Sequence, residues 1–506
     1  MPKHSVVLDC YTVEPSGLGV PPYVSTYVRA AWSALTRAKH GAEVKYLTID
    51  DVRWCLAGGK AAVAEPFSDP LTYSATVNRA HAVQLLRDAD SVVVIAGDKV
   101  PSVHLHAVNA SLEEIARAMA CVRGRRYLLG PMATYAKSNP EYAGLFDAVH
   151  THTITAGDLA LGSSAGAPYG QLRSDRGSFT GLVEQMLWKP IAELELYRGC
   201  TRRVFCDFCN EPGKSPMVAF REVEDVIEET EQLYAAGVRN FRLGQQTCFF
   251  SYQNRDTEVI RSLLAGIRER CPELEVLHID NADPLAVASP SGKRIAHLVA
   301  EYCTEGNCAP MGIESFDAKV IDANHLTCTP EILMRAVEHV NDAGAARGPG
   351  GLPKLLPGLN LIYGLPGESH ATHIANLYWL GRILDAGLLC HRTNVRLARA
   401  FAGTPLAAMG ELGPLPSSEH FTSWKADIDF GWDQPMKERV YPAGLRIPGL
   451  HSYFVGRNGT WWRRLGSYSI QIVEESSATP LGTEADLTVT GHSPRVIYGK
   501  RLATAA

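Results

Sequence analysis

The feature that most constrains the fold is a regular alternation of strand-like and helix-like segments from Glu193 to about Gln434. Short apolar runs predict strands, and longer stretches with apolar residues at helical spacing predict the helices between them. The predicted strands are the one before Cys200 and residues 240–244, 274–280, 311–314, 359–363 and 393–397. The alternation predicts a parallel barrel of β/α units, in which chemistry takes place at the carboxyl ends of the strands.

The first 165 residues have the pattern of a second α/β domain. Apolar runs closed by Gly or Pro at 5–10, 91–97 and 126–131, and a further run at 43–49, predict buried parallel strands. We therefore expect a doubly wound α/β domain over 1–165. Cys10 ends its first strand, at the edge where such sheets bind ligands. Residues 166–190 are rich in Gly, Ser and Pro and predict a linker.

Composition indicates an ordinary globular protein. The 506 residues favour two or three domains, and they include 46% apolar and 20% charged residues. The net charge of −5 gives no general attraction to nucleic acid or to anionic membranes. No apolar run is long enough to predict a transmembrane helix or a signal peptide. We therefore expect a cytoplasmic protein. In a reducing compartment, the twelve cysteines favour metal-binding or catalytic roles over disulfides.

Three cysteines, Cys200, Cys206 and Cys209, follow the first predicted strand of the barrel. Five residues separate the first two and two residues separate the last two, so one compact loop can present all three thiolates to an inorganic centre. A cubane iron–sulfur cluster usually takes four thiolates, so three would leave one iron open. The residues alone also allow a closed zinc site, which needs a fourth ligand, or a redox pair of Cys206 and Cys209.

The loop resembles that of the radical S-adenosylmethionine (SAM) superfamily in Arg198-Gly199, in its cysteine spacing and in Phe208 just before the last cysteine. Most members have three residues in the first gap instead of five. The resemblance implies a [4Fe–4S] cluster whose open iron binds the amino and carboxylate groups of SAM. Reductive cleavage would give a 5′-deoxyadenosyl radical that abstracts hydrogen from an unactivated carbon. An external electron donor such as flavodoxin or ferredoxin is implied as well.

The same resemblance implies cofactor contacts near the ends of the barrel strands. Gln245 and Gln246 would bind the SAM amino group, and Asp280 and Glu314 would contact the SAM ribose or the substrate. Taken alone, such side chains could equally be solvated strand ends or members of surface ion pairs. The full set of implied cofactor-binding residues is Phe208, Gln245, Gln246, Asp280, Glu314, Gly364 and Arg396.

Three further cysteines extend the resemblance to methylthiotransferases. Cys248 follows the second barrel strand and Cys328 lies in the loop after the fourth. If the N-terminal domain caps the barrel, Cys10 could join them to hold a second [4Fe–4S] cluster, as an analogous trio does in methylthiotransferases. Cys248 and Cys328 would then have catalytic roles. The alternative is that all three are small buried hydrophobic residues.

The C-terminal residues 435–506 change in character. Alternating polar and apolar residues with Gly turns at 479–492 predict short antiparallel strands. This pattern resembles the small TRAM β-barrel that ends tRNA methylthiotransferases, and such a domain implies RNA contact. We therefore expect an α/β chain with an N-terminal domain over 1–165, a barrel over 185–434 and a small TRAM-like β domain over 435–506. The six strands of the barrel match the partial (β/α)6 barrel that the resemblance to radical SAM enzymes implies.

The expected reaction is hydrogen abstraction followed by sulfur insertion from an auxiliary cluster. The substrate would be a nucleoside-like small molecule or an RNA base, and the acidic net charge favours the small molecule. The N-terminal region also resembles the domain of cobalamin-type radical SAM enzymes, so cobalamin-dependent methylation is the alternative reaction. A non-catalytic Fe–S or zinc-binding module is the alternative from another class.

Overall fold

The structure is a computed structural model of the 506-residue chain. The residues described are 4–11, 23–38, 43–59, 75–97, 109–133, 136, 140–150, 153–161, 169–215, 217–401, 403–409, 418–494 and 496–502. The chain divides into two compact units, the first made of 1–194, 224–241 and 271–274 and the second of 195–223, 242–270 and 275–506. None of the helices in these described ranges is long and apolar enough to cross a membrane.

The first unit contains a five-stranded parallel sheet in the order β2-β1-β3-β4-β5. Its strands are β1 His4–Asp9, β2 Glu43–Thr48, β3 Ser91–Ile95, β4 Arg125–Leu129 and β5 Ala148–Val149. β1 and β3 are buried along their whole length, which is why their central residues, 6–8 and 92–95, are continuous apolar runs and not alternating patterns. The sheet confirms the expected N-terminal α/β fold and adds the short edge strand β5.

Helices alternate with these strands. They are α1 Thr26–Ala38, α2 Ile49–Leu56, α3 Ala82–Asp88, α4 Leu112–Ala120, α5 Pro140–Ala143, α6 Ala156–Leu161, α7 Tyr169–Asp175 and α8 Thr180–Val183, with a 3-10 turn at Arg79–His81. Capping boxes at Thr48 and Ser111 begin α2 and α4. The linker prediction is wrong for 169–190, because α7 and α8 form there and bury the apolar side chains of Phe179 and Leu182.

A buried polar network lies at the carboxyl end of β1. The Asp9 carboxylate accepts hydrogen bonds from the backbone N–H of Tyr11 and from the hydroxyl of Tyr46, both at 2.9 Å. Tyr11 has φ of 66°, and its hydroxyl donates to Asp50 at 2.7 Å. Burial raises the pKa of Asp9 to about 7 and also raises the pKa of the buried Cys10 thiol. The end of β1 is therefore a closely bonded structure in which Cys10 takes part as a protonated thiol.

The barrel strands appear at the six predicted places. They and the short strands between them are β6 Ile191–Glu195, β7 Tyr197–Arg198, β8 Ala219–Phe220, β9 Asn240–Gly244, β10 Val276–Ile279, β11 Asn307–Glu314, β12 Leu355–Tyr363 and β13 Arg392–Leu397. One sheet has the order β10-β9-β6, and the other is the parallel sheet β11-β12-β13. A hydrogen bond of 2.8 Å from Ala282 N to Pro310 O connects them. The expected partial (β/α)6 barrel is confirmed.

Many helices of this region begin with the same local signal. The helices are α9 Glu211–Lys214, α10 Val223–Ala235, α11 Thr257–Arg270, α12 Pro284–Val287, α13 Pro290–Tyr302, α14 Ala318–Ala323, α15 Pro330–Gly344, α16 His370–Asp385, α17 Pro405–Ala408, α18 Ser418–Ile428 and α19 Gln434–Val440, with a 3-10 segment at Phe249–Arg255 and a π turn at Asp429–Asp433. α12, α13, α15 and α17 each follow an Asp, Ser or Thr cap and start with proline. The cap side chain accepts a hydrogen bond from a backbone N–H of the first turn. Proline has no backbone N–H, so it leaves no donor without a partner.

The C-terminal residues form a small closed barrel in the order β14-β15-β16-β18-β17. Its strands are β14 Arg446–Gly456, β15 Gly459–Arg463, β16 Gln471–Glu475, β17 Glu484–His492 and β18 Ile497–Arg501. The predicted small β domain is confirmed. The antiparallel pairing predicted from residues 479–492 is confirmed, because β17 pairs antiparallel with both β14 and β18, whereas β16 and β18 pair in parallel.

The loop between β15 and β16 reaches the strands of the large barrel within the second unit. The Tyr468 hydroxyl donates to the Asp280 carboxylate at 2.7 Å, and Ser467 N–H donates to His278 Nδ1 at 3.1 Å. Gly466 has φ of 141°, and an added Cβ would lie 2.7 Å from His278 Cε1. Burial lowers the pKa of His278 to about 3, so this imidazole is neutral and its Nδ1 is free to accept.

Replacing Asp9 with Asn should change how the free energy of unfolding depends on pH. The pKa of Asp9 is about 7 in the folded protein against an ordinary value of 3.8, so the folded state holds the proton more tightly than the unfolded chain. Its contribution to stability is therefore lost as pH rises through 7. We expect the free energy of unfolding of D9N, relative to that of wild type, to be higher at pH 8 than at pH 5 by on the order of 1–3 kcal/mol.

Urea unfolding at the two pH values measures this difference. The exposed Asp147, next to β5, is the control, and D147N should shift far less than D9N between the two conditions. If D9N and wild type differ in free energy of unfolding by the same amount at pH 5 and at pH 8, the pKa of Asp9 is not raised in the folded protein.

Candidate active site

The cysteine loop is closed at its base by strands β7 and β8. They pair antiparallel, with Tyr197 opposite Phe220. Gly199 begins the loop with φ of 84°, and an added Cβ would lie 2.6 Å from the carbonyl oxygen of Met217. A side chain at this position would require both an unfavourable backbone conformation and movement of the opposite strand, so the position needs glycine.

The three cysteines of the loop are free thiols. Cys206 is buried, whereas Cys200 and Cys209 are partly exposed. The N–H of Cys209 donates to the carbonyl of Cys206 at 3.0 Å, which makes the Cys-x-x-Cys segment a tight turn. Burial raises the pKa of Cys206 to about 11, against the lowering effect of the Arg202 charge. A positively charged group next to these sulfurs favours the thiolates that an iron–sulfur cluster needs.

The donor set fits a cubane better than a single ion. Among the described residues, no three His, Cys, Asp or Glu side chains are placed to hold one metal ion, so the zinc alternative finds no ligand set there. A cubane binds each thiolate through a different iron, so its sulfur ligands do not have to meet at one point. Three thiols in one loop closed by β7 and β8 are the donors that a cluster with one open iron requires.

Arg202 connects this loop to the segment after β10. Its Nε and Nη2 donate to the two carboxylate oxygens of Asp283 at 3.2 and 3.1 Å, and its Nη1 donates to Cys206 Sγ at 3.0 Å. Asp283 is also the N-cap of α12, where its side chain accepts from Leu285 N–H at 3.1 Å. The backbone N–H of Asp283 donates to Cys248 Sγ at 3.1 Å. One ion pair therefore links Cys206 with Cys248.

Cys328 lies near the same ion pair. It is 2% exposed, and its pKa is raised by burial first and then by the negative charge of Asp283, while Arg202 lowers it. Cys248 is equally buried, and burial raises its pKa to about 11. Cys248 therefore contacts Asp283 directly, and the charges of the same ion pair also act on the pKa of Cys328. Cys10 belongs to the first unit, and a second cluster bound by all three cysteines stays a prediction.

A second connection joins the loop to the segment after β9. The Tyr197 hydroxyl donates to the carbonyl of Cys248 at 2.7 Å and accepts from its N–H at 2.9 Å. The Thr247 hydroxyl donates to the carbonyl of Gly199 at 3.3 Å. Tyr197 is fully buried, so these bonds are protected from water. The cysteine loop and the end of the second barrel strand are held in a fixed relation.

Gln245 and Gln246 follow β9 in the same segment. Gln245 has φ of 64°, and Gln246 is buried with its Nε2 donating to the carbonyl of Leu243 at 2.8 Å. The side-chain oxygens of both residues are buried and accept no hydrogen bond from the described residues. A buried acceptor without a donor is costly. An ammonium group could satisfy such an oxygen, and SAM binding by these residues stays a prediction.

Asp280 and Glu314 have different surroundings. The Asp280 carboxylate forms an ion pair with Arg242 and accepts a hydrogen bond from the Tyr468 hydroxyl. Both of its oxygens therefore bind other side chains of the second unit. Glu314 ends β11 with φ of 62°, and burial raises its pKa to about 7 while Arg202 and Arg396 lower it. The charges of Arg202 from the cysteine loop and Arg396 from β13 therefore both act on Glu314. A contact of either carboxylate with SAM or substrate stays a prediction.

Three predicted residues remain, of which Arg396 is exposed in β13. Phe208 packs against an apolar cluster that includes Leu365 and Leu406. Gly364 has φ of 89°, and its N–H donates to the Glu368 carboxylate at 2.6 Å, which shapes the turn after β12. Their expected roles in cofactor binding stay predictions.

Sequence reasoning missed four residues that organise this region, namely Tyr197, Arg202, Asp283 and Tyr468. One signal was available. Asp283 precedes Pro284, and an Asp-Pro pair is a common start of a helix, which places Asp283 at a strand-to-helix turn on the catalytic side. The partners of Arg202 and Tyr468 lie 81 and 188 residues away, and no local pattern indicates them.

Known proteins identify the family. A model described as the Radical SAM superfamily matches residues 194–377, which contain the cysteine loop. An uncharacterized protein of Methanocaldococcus jannaschii is 33% identical over 531 residues, covering 98% of this chain and 93% of that protein. The chain belongs to the radical SAM superfamily. An uncharacterized protein of Archaeoglobus fulgidus is similar over its length too, with 32% identity, 99% of this chain and 89% of that protein covered.

Two more distant similarities cover about half of the other protein. The ribosomal protein uS12 methylthiotransferase RimO of Frankia alni is 28% identical over 296 residues, which are 56% of this chain and 46% of RimO. The solved structure of the cobalamin-dependent SAM radical enzyme OxsB is 12% identical, with a TM-score of 0.49, and the similar region covers 83% of this chain and 56% of OxsB.

Replacing Gly199 with Ala should disrupt the cysteine loop of this radical SAM protein. The added Cβ would meet the Met217 carbonyl at 2.6 Å, at a backbone conformation that alanine adopts unfavourably. We expect G199A to lose most of the iron that the wild type holds after anaerobic reconstitution. Gly213 in α9 has no heavy atom within 4 Å of an added Cβ, so G213A is the matched control and should keep its iron. Wild-type iron content in G199A would show that the loop tolerates a side chain there.

Proposed function

We propose that this radical SAM enzyme inserts sulfur into a carbon–hydrogen bond and that Cys248 and Cys328 serve a second iron–sulfur cluster. The observation that carries the proposal is the hydrogen bond from Asp283 N–H to the buried Cys248 Sγ, and the buried Cys328 is subject to the charges of the same ion pair. The loop cysteines already provide three ligands for the first cluster, so neither thiol is needed there. Free cysteines next to a radical-generating site are suited to binding a source of sulfur.

Cys200, Cys206 and Cys209 would hold the first cluster, which together with SAM would supply a carbon radical able to abstract hydrogen. The residues of this chain prepare the site for that chemistry by positioning and by excluding water. Tyr197 and Thr247 hold the end of β9 against the cysteine loop. Gln245 and Gln246 present buried oxygens that could orient the amino group of SAM. Arg202 fixes the loop itself through Asp283 and provides positive charge beside Cys206.

The similarity to RimO supports sulfur transfer as the reaction class. RimO is named as a methylthiotransferase, and the similar region covers 56% of this chain. The order of an α/β domain, a barrel and a small closed β-barrel agrees with the methylthiotransferase resemblance noted in the sequence. The net charge of −5 gives no general attraction to a polyanion, so we favour a nucleoside-like small molecule over an RNA base as substrate.

Cobalamin-dependent methylation is the second candidate. The sheet order β2-β1-β3-β4-β5 places a topological switch point between β1 and β3, and sheets of this order bind large cofactors there. Cys10 and Gly97 follow those two strands. The segments that come next, 12–22 and 98–108, lie outside the described residues. The same sheet is therefore suited to a cofactor-binding domain as well as to a cap.

Counting metals in anaerobically reconstituted protein separates the two candidates. Sulfur insertion predicts about eight irons per chain, because each cubane holds four. Methylation predicts about four irons together with bound cobalt. Four irons without cobalt, under conditions in which dithionite and SAM yield 5′-deoxyadenosine, would contradict both and leave only the radical SAM chemistry.

Single replacements then test the two proposed ligands. We expect C248A and C328A each to lose about four irons per chain, because a cubane that lacks a ligand is not retained. Cys390 is also fully buried in the second unit, so C390A is the control for the cavity that the mutation creates and should keep all of its iron. Unchanged iron in both C248A and C328A would remove these residues from the proposed function.

A further inference from the structure

The five residues between Cys200 and Cys206 contain a charged group with a specific place in the site. Arg202 is the second of them, and all three of its donor nitrogens are used. Two bind the Asp283 carboxylate as a pair and one binds Cys206 Sγ. We propose that Arg202 sets the reduction potential of the cluster bound by this loop and that Asp283 is its counter-charge. This inference concerns the first cluster alone and does not depend on sulfur insertion.

The geometry keeps this charge in place. The side chain of Asp283 is 7% exposed and that of Arg202 is 23% exposed. Asp283 is held in turn by its cap bond to Leu285 N–H and by Pro284, which starts α12. A guanidinium bound through two parallel hydrogen bonds to a buried carboxylate cannot turn toward solvent without leaving that carboxylate unpaired. Its third donor therefore stays directed at Cys206.

Two physical effects give the sign of the shift. Reduction adds a negative charge to a cluster that already carries thiolate ligands, so a nearby positive charge stabilises the reduced form. An N–H bond to a ligand sulfur acts in the same direction. Both effects raise the reduction potential, and partial burial limits screening by water. Asp283 opposes them through its own negative charge, at the far side of the guanidinium.

The chain offers a matched control in the adjacent residue. Arg203 is exposed, lies in the same gap, and has the same charge. R203Q therefore removes one positive charge from the loop without removing a bond to Cys206 or Asp283. R202Q removes the buried charge, and R202K keeps it. D283N removes the counter-charge, and asparagine can still cap α12.

The experiment is a redox titration of anaerobically reconstituted protein without SAM or substrate, followed by electron paramagnetic resonance of the reduced cluster. Iron and sulfide are counted in each sample. We expect R202Q to lower the ratio of reduced to oxidised cluster at a fixed potential about tenfold, which is about 59 mV for a one-electron couple. D283N should shift the midpoint in the opposite direction, and R203Q and R202K should stay close to wild type.

The opposite signs distinguish charge tuning from support of the loop. Full iron content with equal midpoints in wild type, R202Q and D283N would overturn the proposal, and so would shifts of the same sign in both variants. Loss of iron from R202Q and R202K, with an unchanged midpoint in D283N, would assign Arg202 to loop structure and also overturn it. Because no substrate is present, each of these results leaves the sulfur-insertion proposal to its own tests.

Discussion

The ion pair between Arg202 and Asp283 is the interaction on which the site depends. It joins the cysteine loop to the turn after the third barrel strand, and the same aspartate begins α12 and donates its N–H to Cys248. Removing either side chain would leave the charge of the other one poorly solvated and unpaired. Such a pair therefore keeps its geometry. This contact and the bonds between Tyr197 and Cys248 together fix Cys206 and Cys248 relative to each other.

A polar network inside the barrel plays a comparable structural role. Arg242 and Tyr468 both bind Asp280, while Ser467 binds the neutral imidazole of His278. Buried polar groups must find partners, and here the loop between β15 and β16 supplies them from almost 190 residues away. The small C-terminal barrel thus completes the interior of the large one. Its resemblance to an RNA-binding domain accordingly does not require that RNA be its partner.

Local patterns predicted much of the architecture because each depends on short-range physics. Continuous apolar runs indicated β1 and β3. The linker prediction was wrong around α7 and α8, where Gly and Ser are common but the side chains of Phe179 and Leu182 are buried. Composition cannot indicate burial of that kind, because the partners are distant in the sequence.

The sequence by itself determined the three-cysteine loop, the order of the barrel strands and the polar residues at their ends. These follow from spacing and periodicity, which act over a few residues. Only the tertiary structure decided that Asp280 faces Arg242 and Tyr468, and that the charges of Arg202 and Asp283 act on both Cys248 and Cys328. The reason is that ion pairs and buried hydrogen bonds select partners by their position in space, and that position exists only after the strands have assembled.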